Sequence, residues 1–517
     1  MPIFKRLLQL LTFYRCNFPF GLEAVKSTKM TYKSFLWSFI FLLFSNISFA
    51  QKENPWKTST PEEQGMNSLI LANALKHFKQ DSVNIHSLLI IKNNHVVLDV
   101  YFYPFQNNYV HDLASVTKSI TSLLIGIAID KKFIKNENEP ILQYFPEYAI
   151  KNDTLKALTI KDLLNMSSGL RCSWDDGEKE LSQMRNSADW VKFMFNLSFD
   201  TMPGKRFSYC SGNFYLLAEI LQRTTKMSCL DFAAKYLFQN LALGKSYWLK
   251  NNKGVNNGWG DLHISTYAMA KIGCLILNGG NWNGKQIVSK QWIEKIKPLY
   301  KIHKTESYGY GWWLDSENPD EVQAMGRGGQ RLFIFRDKKM VIATTGGGFE
   351  SGDIDNLALE SIKAYNKNEY HYDELQAQVS AVQSLGTTNS NIPEARFSAS
   401  ELNKSFQFTK NGVGLKAIRF EQRNKDAYIM LDFADGSKEE HPIGMNNQYK
   451  ISKEPIFGLP MAVKGKWIND TLLEINYNRL GRIEDYKFII AFKGNSIQLT
   501  ITEPTKEINE TLVGEAF

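Results

Sequence analysis

The chain has 517 residues, which is too long for one ordinary domain and predicts two. With 43% hydrophobic residues it can build a large core, and its net charge of +8 is modest for this length. No basic run with interleaved aromatic residues occurs, so we exclude nucleic acid as a partner. The eight histidines include no H-x-x-x-H pair and the five cysteines no C-x-x-C pair, so we expect neither a metal site nor a cofactor. A disulfide would be compatible with an oxidising compartment, but the sequence does not require one.

The first 50 residues have the pattern of an export signal. An apolar run at residues 35–44 precedes small residues at 48–50 that are typical of a cleavage site. The sequence therefore predicts a signal peptide at residues 30–50. Since Met30 would start a signal of ordinary length, we interpret residues 1–29 as an upstream extension. The run is short for a membrane span, so we expect a periplasmic or secreted protein without a stable membrane anchor.

Residues 112–130 form the most informative stretch of the chain. At residues 120–129 nearly every side chain is apolar or small, which predicts a helix buried on all sides. Ser115 and Lys118 lie at its start, and residues three apart share one face of a helix. Burial favours a neutral lysine, which beside a serine is a base beside a nucleophile. A capping serine followed by a surface lysine is the alternative, but an unpaired lysine would be costly to bury in this helix.

This is the only S-x-x-K sequence in the chain, and it resembles the active-site motif of the serine β-lactamase and penicillin-binding-protein superfamily. The similarity is greatest to relatives of the class C type, a group that includes esterases, D-amino-acid peptidases and 6-aminohexanoate-dimer hydrolases. It covers residues 56–364. The resemblance implies an α+β fold of the β-lactamase/transpeptidase type, with an antiparallel sheet flanked by helices and an additional helical region.

A second landmark is the sequence Tyr-Cys-Ser at the end of residues 203–211, after a Pro-Gly turn. It resembles the Y-x-N motif of class C enzymes, with Ser211 in the place of the asparagine. The resemblance implies that Tyr209 hydrogen-bonds Ser115 and Lys118 as their shared acid and base. A packed loop aromatic is the alternative for a lone tyrosine. Because Ser211 replaces the side chain that holds a substrate amide, we expect slow or absent β-lactam turnover.

A third landmark is the glycine-rich sequence Gly-Arg-Gly-Gly-Gln at residues 326–330. In the family this place is taken by the K-T-G strand. Gly328 and Gly329 would let a substrate backbone lie close to the strand edge. The resemblance implies an oxyanion hole formed by the N–H groups of Gln330 and Ser115.

Two further side chains are candidates for substrate binding. Arg327 could bind a substrate carboxylate or support Tyr209. Trp174 lies beside two aspartates in a segment that, by resemblance, lines the substrate pocket. A solvated loop is the alternative reading of that segment.

Local patterns predict the elements around these motifs, in a hydrolase domain that we place at residues 51–368. A hairpin is predicted around Asn93-Asn94, since two β-rich runs flank this turn sequence. Helices are predicted at residues 69–78, 159–170, 265–279 and 356–365, and paired strands at 332–335 and 341–345.

The composition changes after about residue 366. We predict a linker at residues 369–395 and an antiparallel β domain at residues 396–517, where apolar residues alternate between glycine turns. The pattern is similar to that of a lipocalin barrel. This domain contains no catalytic constellation, and it could be a lid, a binding module or a stabilising partner.

The sequence thus predicts an exported serine hydrolase that acts through an acyl-enzyme on small esters or amides, with peptidoglycan-derived peptides among the candidate substrates. A catalytically weak penicillin-binding-type receptor or sensor is the alternative. Intact Ser115, Lys118 and Tyr209 favour the enzyme. An α/β-hydrolase is excluded because no G-x-S-x-G sequence occurs. We also expect residues 51–370 alone to retain the active-site chemistry.

Overall fold

A computed structural model describes residues 56–172, 178–349, 354–384, 404–454, 457–504 and 508–517. The predicted upstream extension (1–29), the signal peptide (30–50), Trp174 and the later part of the predicted linker lie outside these residues. Within the described ranges, no helix combines the length and the apolar character needed to cross a membrane.

The helices of the first domain lie around one large sheet. In chain order they are α1 (Ser68–Gln80), α2 (Val116–Asp130), α3 (Asp153–Lys156), α4 (Ile160–Leu164), α5 (Lys179–Asn186), α6 (Trp190–Phe195), α7 (Ser211–Thr225), α8 (Cys229–Ala233), α9 (Gln239–Leu241), α10 (Thr266–Leu277), α11 (Lys290–Glu294), α12 (Ile354–Lys363) and α13 (Tyr372–Gln383). Helix α2 is the predicted apolar helix, and it is buried along almost its whole length.

The strands of this domain are β1 (Lys57–Thr58), β2 (Ile85–Lys92), β3 (His95–Tyr101), β4 (His111–Asp112), β5 (Tyr247–Trp248), β6 (Leu262–Ile264), β7 (Asn281–Trp282), β8 (Lys285–Gln286), β9 (Tyr300–Lys301), β10 (Glu306–Gly309), β11 (Trp312–Asp315), β12 (Glu321–Gly326), β13 (Gln330–Phe335) and β14 (Met340–Gly346). Nine of them form the large sheet in the order β1-β3-β2-β14-β13-β12-β11-β10-β9. The sheet is antiparallel except where β1 pairs with β3. Its two faces are covered by separate apolar clusters, and α2 lies in the larger one.

The hairpin of β2 and β3 turns where the sequence predicts it. Asn93 and Asn94 both have positive φ, 49° and 61°, as a two-residue turn that follows the twist of the strands requires. The predicted helices at 69–78, 265–279 and 356–365 correspond to α1, α10 and α12. The helix predicted at 159–170 is shorter, because α4 ends at Leu164 and a turn follows.

Helix α13 lies inside the segment predicted as a linker. Leu375 and Val382 are buried and Val379 packs beside them, so apolar residues recur every three or four positions. This face packs against α1 and extends the first domain beyond the predicted boundary at residue 368.

The second domain is a ten-stranded antiparallel sheet. Its strands are β15 (Ser405–Phe408), β16 (Leu415–Arg423), β17 (Asp426–Phe433), β18 (Lys438–Ile443), β19 (Lys450–Lys453), β20 (Pro460–Asn469), β21 (Leu472–Arg479), β22 (Asp485–Lys493), β23 (Ser496–Thr502) and β24 (Asn509–Ala516). The order is β18-β17-β16-β15-β24-β23-β22-β21-β20-β19. The two edge strands come together where His441 Nδ1 lies 2.7 Å from Ser452 Oγ, so the sheet curls into a near-barrel filled by apolar side chains. The predicted α+β fold followed by an all-β domain is confirmed.

Candidate active site

A strained turn presents Ser115 at the N-terminus of α2. Ala114 has a φ of +46°, in the left-handed region that residues other than glycine rarely adopt. Its N–H donates to Asp112 Oδ1 at 2.8 Å, which fixes the turn from within. The side chain of Ser115 therefore leaves the helix end and reaches a cavity that it helps to line.

Lys118 lies one helical turn after Ser115 and is 2% exposed. Its Nζ donates to Ser115 Oγ at 2.8 Å and to the carbonyl oxygen of Trp259 at 3.0 Å. The same nitrogen lies 4.9 Å from the centre of the Tyr209 ring. The structure thus brings the two residues of the S-x-x-K sequence into direct contact, with the predicted tyrosine beside them.

Tyr209 is held by the residues that flank it. Its ring stacks on Trp313 with 6.0 Å between ring centres, and both side chains line the cavity. Cys210, the next residue, is the N-cap of α7 and forms a disulfide with Cys172. This bond ties the Tyr209 loop to the segment after α4, a pairing that the sequence left open.

The end of β12 approaches the Ser115 turn very closely. A Cβ on Gly326 would lie 2.5 Å from the carbonyl oxygen of Leu113, so only a glycine allows this approach. Met325 and Gly326 line the cavity together with the following residues, Arg327, Gly328 and Gly329. The third landmark is therefore at the site, and its N-terminal half is nearest to the turn that presents Ser115.

Two residues that the sequence assigned to the site have buried side chains outside the cavity. Gln330 is fully buried on β13, and its side-chain amide donates to the carbonyl oxygen atoms of Gly346 and Arg327. Ser211 is also fully buried, at the first position of α7, and its N–H donates to Glu178. Neither residue belongs to the cavity lining that the structure describes.

Arg327 lines the cavity and is bound by a residue of the second domain. Its Nη2 lies 2.8 Å from Glu484 Oε1. Burial acts to raise the pKa of Glu484, but the Arg327 guanidinium outweighs it, and the pKa is lowered. In the turn before Ser115, burial and the negative charge of Asp261 raise the pKa of Asp112.

The cavity has a volume of about 820 Å³ and contains residues that the sequence did not single out. These are Asp200, Arg206, Phe207, Ser208, Ile302, His303, Glu306, Met325, Arg331 and Phe349. Three of them directly precede Tyr209, so their position beside a predicted catalytic residue was a usable signal. His303 and Glu306 belong to no motif. Trp313 also lines the cavity, whereas its neighbour Trp312 is fully buried.

Comparison with known proteins gives consistent matches. The chain is 24% identical over 303 residues to a 6-aminohexanoate-dimer hydrolase from Paenarthrobacter ureafaciens, covering 53% of this chain and 76% of that protein. A family VIII carboxylesterase structure matches with a TM-score of 0.48 and 14% identity, over 59% of this chain and 98% of the other. The octameric penicillin-binding protein homologue from Pyrococcus abyssi matches with a TM-score of 0.46 and 17% identity, over 86% of this chain and 99% of the other.

The β-lactamase family model matches residues 79–363, a segment that contains the Ser115 turn, Lys118, Tyr209 and the Gly326–Gly329 segment. Because this segment is more than half of the chain, the protein belongs to the β-lactamase family and is a hydrolase of the β-lactamase fold.

Proposed function

We propose that the protein is a serine hydrolase that forms an acyl-enzyme on Ser115 with small esters or amides. The observation that carries the proposal is the 2.8 Å contact between Lys118 Nζ and Ser115 Oγ at the wall of a large cavity. A buried lysine in hydrogen-bond contact with a serine is the arrangement that activates a hydroxyl group as a nucleophile.

In the first step, Ser115 Oγ attacks the carbonyl carbon of the substrate while its proton passes to the Lys118 and Tyr209 pair. The carbonyl double bond opens to an oxyanion. When the oxyanion collapses, the bond to the leaving alcohol or amine breaks, and the pair returns the proton to the leaving group. In the second step, water attacks the ester of Ser115, releases the carboxylic acid and restores the hydroxyl group.

The oxyanion requires backbone donors close to Ser115. One candidate is the N–H of Ser115 itself, at the start of α2 where helical N–H groups are free. The second candidate is a backbone N–H of the glycine-rich segment at residues 326–330, whose first residue, Gly326, lies against the carbonyl oxygen of Leu113.

The substrates are proposed from the cavity and the relatives. Phe207, Tyr209 and Trp313 provide an aromatic wall that favours a compact apolar acyl group. The name of the Paenarthrobacter relative gives a 6-aminohexanoate dimer as its substrate, and such a dimer contains an amide bond. We therefore propose short amides, including peptidoglycan-derived peptides, as candidate substrates in addition to esters.

We also propose export to the periplasm or beyond. The pattern of residues 30–50 is one support, and the Cys172–Cys210 disulfide is the other, because disulfides persist in oxidising compartments.

A substrate panel tests this function. Purified protein and its Ser115→Ala variant would be assayed with p-nitrophenyl acetate, small amides and a chromogenic cephalosporin at equal concentrations. We expect Ser115-dependent hydrolysis of the ester, and a kcat/KM for the cephalosporin below that for the ester. A cephalosporin value above the ester value would contradict the substrate assignment, and stable acylation without turnover would indicate a receptor.

A further inference from the structure

The turn between β21 and β22 of the second domain, residues 480–484, is anchored in the hydrolase domain. The carbonyl oxygen of Gly481 accepts the backbone N–H of Asp112 at 2.9 Å. Ile483 is fully buried, and a Cβ on Gly328 would lie 2.3 Å from its Cγ2. Residues 480–484 therefore contact both the turn that presents Ser115 and the glycine-rich segment at residues 326–330.

The first residue of β22 adds a second anchor. Asp485 Oδ2 accepts from Asn84 Nδ2 at 2.9 Å and lies 3.1 Å from His86 Nε2. Glu484 thus lies between two residues, Ile483 and Asp485, that are both held by the hydrolase domain. Its side chain is 23% exposed and lies against Arg327.

We propose that Glu484 determines the charge preference of the active-site cavity: by occupying Arg327, it makes the enzyme favour uncharged acyl groups over acyl groups that carry a carboxylate. The inference rests on the proposed function and assigns a role to the second domain. A substrate carboxylate that reached Arg327 would have to displace Glu484 and leave a partly buried carboxylate without its cation, which is unfavourable.

The other two arginines that line the cavity are also engaged by the chain. Arg331 donates to the carbonyl oxygen atoms of Gly326 and Gln330. Arg206 lies 3.9 Å from Asp200 and is mostly exposed. Arg327 has a partner from the second domain, Glu484, which is not part of the cavity wall, so a change at Glu484 alters the charge available to a substrate without changing that wall.

The test compares two esters with the same six-carbon acyl chain, p-nitrophenyl hexanoate and mono-p-nitrophenyl adipate. In the wild type we expect a higher kcat/KM for the hexanoate. Glu484→Gln keeps the shape of the side chain and removes its charge. We expect it to shift the ratio of the two kcat/KM values towards the adipate by about 10- to 100-fold, mainly through KM. Glu474→Gln is the matched control, since Glu474 pairs with Lys466 and Lys487 in the same domain.

The Arg327→Gln/Glu484→Gln double variant should lose the shift. The proposal is overturned if the ratio is unchanged in Glu484→Gln, if Glu474→Gln shifts it equally, or if the shift persists in the double variant. Should Glu484→Gln not fold, Glu484→Asp is expected to give a smaller shift in the same direction, and no shift would overturn the proposal.

A binding measurement separates this inference from the proposed function. Adipate is titrated calorimetrically into the full-length Ser115→Ala and Ser115→Ala/Glu484→Gln proteins, which need no turnover. Tighter binding to the second protein, by about tenfold, supports the role of Glu484 even if neither ester is hydrolysed. Equal affinity would contradict it even if both esters are hydrolysed.

Discussion

The backbone N–H of Asp112 donates to the carbonyl oxygen of Gly481, at 2.9 Å, three residues before the candidate nucleophile Ser115. A residue of the second domain therefore completes the hydrogen bonding of the turn that presents Ser115. We infer that contacts between the two domains contribute to the geometry of the active site.

Gly328→Ala tests this dependence. Gly328 has a φ of +80°, and a Cβ there would overlap with Ile483 of the second domain. Gly254→Ala is the matched control, because Gly254 has a φ of +79° and a Cβ there would meet nothing within 4 Å. The shared backbone strain costs about 1–2 kcal/mol in each variant. We expect Gly328→Ala to lower the melting temperature further and to reduce kcat/KM by at least about tenfold, the effect of roughly 1.4 kcal/mol in the transition state. Equal stability and activity in the two variants would show that the contact does not matter.

Lys118→Met should separate activity from stability. The side chain is nearly fully buried and donates to two uncharged oxygen atoms, so an apolar replacement removes a costly buried amine. We expect kcat to fall by about 10²- to 10⁴-fold, as for a lost proton-transfer group, with no loss in melting temperature. Lys271→Met is the control: Lys271 is 7% exposed, and it donates to the carbonyl oxygen of Ala242. Full activity in Lys118→Met would show that Lys118 takes no part in proton transfer.

Removing the disulfide should affect both the fold and the Tyr209 loop. Cys172 and Cys210 are 38 residues apart, and a crosslink over such a loop contributes about 3–4 kcal/mol. We expect Cys172→Ser/Cys210→Ser to melt at a lower temperature and to show a lower kcat, because Cys210 follows Tyr209 directly. A reductant should lower the melting temperature and the kcat of the wild type towards those of the variant, and it should leave both values of the variant unchanged. An unaltered kcat at a temperature where both proteins are folded would argue against a positioning role.

Ser211 and Tyr209 should behave differently although they are two residues apart. Ser211 is fully buried outside the cavity, whereas Tyr209 lines it beside Lys118. We expect Ser211→Ala to retain kcat/KM within about twofold, since its small side chain touches no substrate in this geometry. Tyr209→Phe should lose about 10²-fold or more, as expected for a group that transfers protons. A large loss in Ser211→Ala would restore the substrate role that the resemblance implied.

Local signals predicted much of the fold and the centre of the site. The contact of Ser115 with Lys118 follows from helical spacing, and the hairpin follows from Asn93-Asn94. The expectation that residues 51–370 alone retain the active-site chemistry stays a prediction, and contacts from the second domain bear on it. Gly481 and Glu484 reach the site from far along the chain, and no local pattern indicates contacts between distant segments.

Two further features have local physical reasons. The oxyanion role that the resemblance implies for the backbone N–H of Gln330 stays a prediction, because the burial of its side chain does not test it. In the structure the hairpin turns at residues 327–329, so Gln330 pairs back onto Gly326 and its side chain points into the protein. Helix α13 was missed because the polar residues around it suggested a linker, although Leu375, Val379 and Val382 recur at helical spacing.

The most direct test of the central claim is to identify the residue that a fluorophosphonate probe modifies. The wild-type protein is labelled, digested and mapped by mass spectrometry, with Ser115→Ala and Ser119→Ala treated in parallel. Ser119 lies one turn further along α2 and donates to the carbonyl oxygen of Gly311. We predict modification at Ser115 in the wild type and in Ser119→Ala, and none in Ser115→Ala, whose turnover should fall by up to about a million-fold. Labelling that persists in Ser115→Ala, or that maps to another serine, would contradict the assignment of Ser115 as the nucleophile.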